Sequence, residues 1–291
     1  MVKRIVNIAK GVVLAACSKK TTVDAGTGMF KLNVFKGGQL KEKVGFNNIL
    51  KVKYLKISGI INIVDLYFIQ NMDNLEVLDL SDVIYIRKQI HEKGKLELRK
   101  RLLRRKRSLR TIYLPEFIGY IPNNFFSDCK SLEQVIISKS VKIIGWNAFS
   151  GSGIKKIVIP KSVRRIDHGA FDNCNRLEKV VVEDGKKHIV WKGVQFDNCP
   201  SLKKVYIGRN SKTDDNLVSH QSVDELRLGK FINNINFDFP RVRRVICEMK
   251  IPPILSEGFY NESEIEVLHN YDLFWVSPGW NRIMRGNKSH E

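Results

Sequence analysis

The sequence predicts an α/β solenoid, a curved repeat built on one parallel β-sheet, mostly strand and turn, with few and short helices. Three observations predict it. Apolar residues that open a recurring unit stand at Leu109, Leu132, Ile154, Leu177 and Leu202, at spacings of 23, 22, 23 and 25 residues, and a period this short belongs to stacked repeats. Within each strand the apolar residues Ile112 and Leu114, or Ile157 and Ile159, alternate with outward positions, the period of a strand with one buried face. In the second half of the units Phe126, Phe149, Phe171 and Phe196 hold matched positions, preceded by Phe125, Ala148, Ala170 and Gln195. One unit cannot bury such a face alone, so neighbours must stack in register.

Taken in chain order, Lys3 and Arg4 precede the apolar and small residues Val12 to Ser18, the arrangement of a signal segment. Leu14-Ala15-Ala16-Cys17 resembles a bacterial lipoprotein lipobox, which implies cleavage before Cys17 and a lipid on its sulfur. Lys10 interrupts the apolar stretch, so an ordinary amphipathic N-terminus stands as the alternative. Residues 1–17 are thus assigned as a degenerate signal segment and 18–30, small and polar at first, as a linker. Residues 31–86 form an N-terminal cap, with a helix expected near Asp65 to Asn71 and Asp65 as its cap. Residues 87–107 are a basic insertion, with a second helix placed at Leu96 to Arg105.

The repeats occupy 108–250. Pro115 and Pro160 end two of their strands, because proline cannot continue the ladder. From Asn210 to Glu225 the aromatic half of the unit is lost, yet Val223 and Val242 open two further candidate strands, Asp224 to Leu228 and Arg243 to Cys247. Residues 251–291 form a closing segment.

Composition excludes several classes. Fifty Lys and Arg against thirty Asp and Glu give a formal charge of +20, which favours an anionic partner without defining the fold. Eleven basic residues against Glu92 and Glu97 place +9 of that charge in 87–107. The five cysteines form no CxxC pair, so neither a zinc site nor a disulfide framework is expected. No apolar run is long enough to span a bilayer. GxSxG, HExxH, P-loop and GxGxxG motifs are all missing, and the histidines are scattered; no enzyme, cofactor or metal is expected. Asp167-His168 lies in a turn and is read as structural. Cys129, Cys174 and Cys199, each three residues after an anchoring Phe and with Ser152 in the same place between them, are read as a buried column.

The Ala-Phe pair with its following Cys resembles the leucine-rich repeats of BspA-like bacterial surface proteins, most clearly from Ser108 to Cys199. Leu55-Lys56-Ile57-Ser58-Gly59 and Leu78-Asp79-Leu80-Ser81-Asp82 look like the N-terminal unit of such lipoproteins from Bacteroidetes-type bacteria. Tyr271 with Pro278-Gly279-Trp280 resembles their closing tail. The resemblance implies a curved leucine-rich repeat, a place in the bacterial cell envelope as an outer-membrane or cell-surface lipoprotein, and a role in adhesion.

Two surfaces are candidates. At the outward strand positions one column runs Thr111, Gln134, Lys156, Lys179, Lys204, Glu225, Arg244. Its neighbour runs Tyr113, Ile136, Val158, Val181, Tyr206, Arg227, Ile246. Equivalent places on a parallel sheet stack about 4.8 Å apart, so three aligned lysines repel unless an anion lies across them. The alternative is an ordinary exposed face whose long side chains cover apolar neighbours. The ligand-binding face is therefore assigned to Lys156, Lys179, Lys204, Arg244, Tyr113, Tyr206, Val158 and Val181. A polyanion contact is assigned to Arg99, Lys100, Arg101, Arg104, Arg105, Lys106 and Arg107, against the alternative of a solvated loop.

The expected function is non-enzymatic binding of a protein or acidic polymer, a host or matrix component included, by a monomer anchored at Cys17. A second reading is an intracellular structural or regulatory module whose basic segment meets anionic membrane or nucleic acid. Nucleic acid is the weaker of those partners, since the basic run has no interleaved aromatics for base stacking.

Overall fold

The computed structural model describes residues 21–87, 102–213, 222–235, 242–249, 253–255 and 264–267. Parallel strands follow one another along a solenoid axis. Thr22–Asp24 pairs antiparallel with Met29–Val34, which starts a parallel ladder through Tyr54–Asn62, Val77–Arg87, Thr111–Tyr113 and Gln134–Ile136. A second ladder runs Lys156–Ile159, Lys179–Val182, Lys204–Ile207, Val223–Leu228, Val242–Cys247 and Glu264–Val267, all parallel. The degenerate strands opened by Val223 and Val242 thus continue the sheet. The fold is the expected solenoid, but its strands are not confined to one sheet. The return halves of the repeats add a five-stranded parallel sheet of short pieces, Tyr120–Ile121, Ile143–Ile144, Arg165–Ile166, Ile189–Trp191 and Ser211–Thr213. Two- and three-residue strands are too short to show a period in the sequence.

The core lies between the two layers. Leu109, Leu132, Ile154, Leu177 and Leu202 are buried, as are the inward strand residues Ile112, Val135, Ile157, Val180, Val205, Leu226 and Val245. Each such side chain contributes about 1.5–3 kcal/mol on burial. The phenylalanine column forms a continuous stack: ring centroids are 5.2 Å apart for Phe126 and Phe149, 5.4 Å for Phe149 and Phe171, and 5.4 Å for Phe171 and Phe196. Tight turns beside the stack use the left-handed region, with Asn173 at φ 57° and Asn198 at φ 54°, which a short polar side chain tolerates. Asn198 Nδ2 donates to Asn173 Oδ1 at 2.9 Å, tying successive turns.

Three expectations are corrected before the repeats. Residues 18–30 are not wholly a linker: Thr22–Asp24 and Met29–Val34 are strands, because Phe30, Leu32 and Val34 alternate inward and seal the end of the core. The helix is Ile63–Gln70, and its N-cap is Asn62. Asp65 sits at the third helical position, completing a reciprocal capping box in which it accepts the Asn62 N–H at 2.8 Å. Of the helix placed at 96–105, residues 96–101 lie outside the described residues and 102–105 form a turn, with Leu102 and Leu103 buried against the core. The closing-tail residues Tyr271, Pro278, Gly279 and Trp280 also lie outside the described residues.

Candidate functional site

Strand pairing sets the outward columns in register. Lys156 pairs with Lys179, Lys179 with Lys204, Lys204 with Glu225 and Glu225 with Arg244. In the neighbouring column Val158 pairs with Val181, Val181 with Tyr206, Tyr206 with Arg227 and Arg227 with Ile246. Tyr113 and Thr111 pair with Ile136 and Gln134 one ladder earlier, so they share the face at its N-terminal end. All three lysines and Arg244 are exposed, as is Val158; Tyr113, Val181 and Tyr206 are half-buried.

The three lysines are not equivalent. Lys204 Nζ lies 3.9 Å from Glu225 Oε2, and from there the column alternates in sign through Arg244 to Glu264. Among the described residues, Lys156 and Lys179 form no salt bridge. The uncompensated charge is therefore a pair, flanked by Val158 and Val181. Beside it Lys179, Lys204, Val181, Tyr206, Glu225 and Arg227 line a shallow concavity of about 270 Å³.

The concavity has a hydrogen-bonded wall that sequence reasoning missed. Tyr206 Oη donates to Asp184 Oδ1 at 2.7 Å and to Glu248 Oε2 at 3.4 Å. Glu248 also accepts from Arg227 Nε. Burial, reinforced by the two carboxylates, holds the Tyr206 phenol well above the usual tyrosine range, so it stays a neutral donor. Asp184 and Glu248 lie beyond strand ends, where the column alignment does not reach; only the recurrence of polar residues after each strand hints at them.

A second missed feature lies one place before the lysine column. Glu76, Arg110, Glu133, Lys155, Glu178, Lys203, Asp224 and Arg243 alternate in sign without a break. Backbone bonds stack most of them directly: Arg110 N–H donates to Glu76 O, Glu133 to Arg110 O, Glu178 to Lys155 O and Lys203 to Glu178 O. Arg110 lies 4.0 Å from Glu76 and 3.9 Å from Glu133. Exposed pairs of this kind contribute little each, but alternation avoids cross-strand repulsion. Each unit thus carries a self-neutralising column next to one that is not neutralised at Lys156 and Lys179.

The basic segment is placed differently from the polyanion contact assigned to it. Lys106 is buried, and its Nζ donates to the Met72 carbonyl, so its ammonium is turned away from solvent. Arg104 Nη2 lies 3.0 Å and Arg105 Nε 3.5 Å from Asp128 Oδ2. Burial of the apolar Leu102-Leu103 pair pulls this part of the run onto the first repeat. Arg107 remains exposed. Arg99, Lys100, Arg101 and the candidate lipidation residue Cys17 lie outside the described residues.

The cysteine column is interior. Cys129, Cys174 and Cys199 are buried, and their thiols donate to the carbonyls of Leu103 at 3.0 Å, Phe149 at 3.2 Å and Phe171 at 3.2 Å. They therefore satisfy turn carbonyls as well as filling space. Asp167 pairs with Arg165 at 2.8 Å, and the His168 carbonyl accepts the Asn147 N–H. Among the described residues, no cluster of three metal-ligating side chains occurs, and no helix is long and apolar enough to cross a membrane.

Residues 96–224 match the family described as the BspA type leucine rich repeat region, in six copies. No curated protein matches the chain. Among solved structures, a leucine-rich repeat protein from Bacteroides ovatus is similar over 85% of this chain and 69% of its own, at 17% identity and a TM-score of 0.42. A leucine rich cell surface protein from Faecalibacterium prausnitzii is similar over 91% of this chain and 98% of its own, at 14% identity and a TM-score of 0.35.

Proposed function

Through residues 96–224 this chain belongs to the proteins built on BspA-type leucine-rich repeats, and we propose that it is a non-enzymatic scaffold which binds an acidic protein segment or acidic polymer at Lys156, Lys179 and Lys204. Repeat proteins of this kind are interaction scaffolds: stacking produces an extended surface with the same place repeated along it. The observation that carries the reading is the contrast between adjacent columns. The one before the lysines alternates in sign throughout, whereas Lys156 and Lys179 are paired with each other across strands and, among the described residues, form no salt bridge. An anionic chain laid across the strands relieves that repulsion. Val158, Val181 and the Tyr206 ring supply apolar contact for its stem.

Substituting Lys156, Lys179 and Lys204 together with Ser tests this. The thermal melt is expected to stay nearly unchanged, while binding to a heparin-like polymer weakens and its salt dependence flattens, since exposed charges act through screened electrostatics. Equal binding of the variant and the parent chain at low salt refutes the assignment.

The same reading places the protein on the bacterial cell envelope, anchored by a lipid on Cys17 of Leu14-Ala15-Ala16-Cys17. Mass spectrometry of the mature N-terminus tests that part separately. Diacylglycerol on Cys17 supports it, and an intact Met1 without lipid overturns it.

A further inference from the structure

The end turn of the solenoid carries a surface of a different kind from the lysine face. Phe35 is 50%, Phe46 65% and Leu50 59% exposed, in a stretch of chain that also holds Lys36, Lys41, Lys43, Lys51 and Lys53 against Glu42 alone. One five-residue helix, Leu40–Val44, buries Leu40 and Val44 and turns Lys41 and Lys43 outward. Lys41 Nζ stands 4.2 Å from the centroid of the Phe46 ring, and Lys43 Nζ 5.5 Å from that of Phe35. Each ring therefore carries an ammonium group over its face. Aromatic rings set beside lysine heads are the composition of a surface that lies in a headgroup layer: the ring enters the acyl boundary while the lysine stem extends to the phosphates.

The path of the chain points the same way. Thr21 Oγ1 accepts the Asn33 N–H, and Asn33 precedes Phe35 by two residues. Cys17 is four residues before Thr21, a span of at most about 14 Å. A lipid on Cys17 would bring this end of the cap, not the lysine face of the repeats, to the bilayer.

We propose that this end turn docks on anionic lipid headgroups through its two exposed ring–lysine pairs, Phe46 with Lys41 and Phe35 with Lys43. The inference stands on exposure, charge and ring geometry, and does not depend on the ligand assigned to the sheet face or on lipidation of Cys17. A surface of this kind orients the solenoid on the membrane, which a lipid anchor by itself does not.

The test uses the full chain with Cys17→Ser, so that no lipid contributes, and measures co-sedimentation with vesicles. Binding is expected to phosphatidylcholine vesicles containing roughly one-third phosphatidylglycerol, and not to phosphatidylcholine alone. Phe35→Ser with Phe46→Ser, and separately Lys41→Ser with Lys43→Ser, are each expected to weaken binding about tenfold. Both pairs lie at exposed or half-exposed positions, so circular dichroism melts should match the parent. The triple Ser variant at Lys156, Lys179 and Lys204 is expected to sediment as the parent does. Absence of binding to the anionic vesicles overturns the proposal. So does parent-level binding by the Phe35/Phe46 variant, or a loss of binding seen only when Arg99, Lys100 and Arg101 are neutralised.

Discussion

Lys106 Nζ donates to the backbone carbonyl of Met72, a bond that joins the basic segment before the repeats to the loop after the cap helix. Burial pulls this ammonium down to about 8 from an ordinary 10.5. A base with a lowered folded pKa binds fewer protons when folded, so stability rises with pH between those two values. Buried thiols oppose this higher up. Burial raises Cys129 and Cys247 to about 12 from 9.0, so the unfolded chain ionises first and stability falls between those values. Lys106 by itself is therefore expected to contribute a climb of about 1 kcal/mol in unfolding free energy between pH 8 and 9, which the thiols partly cancel in that window and overtake beyond it. Lys106→Met keeps the stem and removes the charge; its denaturant-derived stability should lack the climb. Identical pH slopes for the two proteins would reject the assignment.

Asp65 gathers three backbone donors on one carboxylate. It accepts from the Gly38 N–H at 2.6 Å, the Leu40 N–H at 3.0 Å and the Asn62 N–H at 2.8 Å, and it is 1% exposed. Asp65→Ala leaves these donors without their acceptor and is expected to cost about 3 kcal/mol or more in urea unfolding. Asp65→Asn retains one acceptor oxygen and should lose less. A variant within error of the parent would show that water replaces the carboxylate.

Phe149 is stacked between Phe126 and Phe171 with no exposed surface. Phe149→Ala is expected to cost about 3–5 kcal/mol through lost burial and an unfilled cavity. In a solenoid each turn contacts only its neighbours, so the break should also separate unfolding into two transitions, visible as a broadened calorimetric peak. A single sharp transition at lower temperature would count against that second part.

Lys179→Glu places an acid between Lys156 and Lys204, giving this column the alternation of sign that its neighbour already has, and tests whether function opposes stability. Cross-strand attraction should replace repulsion, with a gain of about 0.2–1 kcal/mol. Binding of an acidic polymer should fall well below that of Lys179→Ser. Unchanged affinity with raised stability would mean that the column is ordinary surface.

Much of this was legible in the sequence because a repeat writes its packing many times over. The 22- to 25-residue spacing of Leu109, Leu132, Ile154, Leu177 and Leu202 aligns every later position, so the phenylalanine stack, the cysteine column and the pairing of Lys156, Lys179 and Lys204 all follow from adding constants to one register. The degenerate strands at Val223 and Val242 were readable for the same reason. That reading ends where a side chain's partner comes from another turn. Met72 takes the Lys106 ammonium, Asp128 takes Arg104 and Arg105, and Glu248 reaches Tyr206 and Arg227. Periodicity assigns a residue to a face, but burial and charge pairing depend on the few ångströms between neighbouring turns. Tertiary structure alone decided which cations of this basic chain are taken up by partners from other turns, as Lys106, Arg104 and Arg105 are.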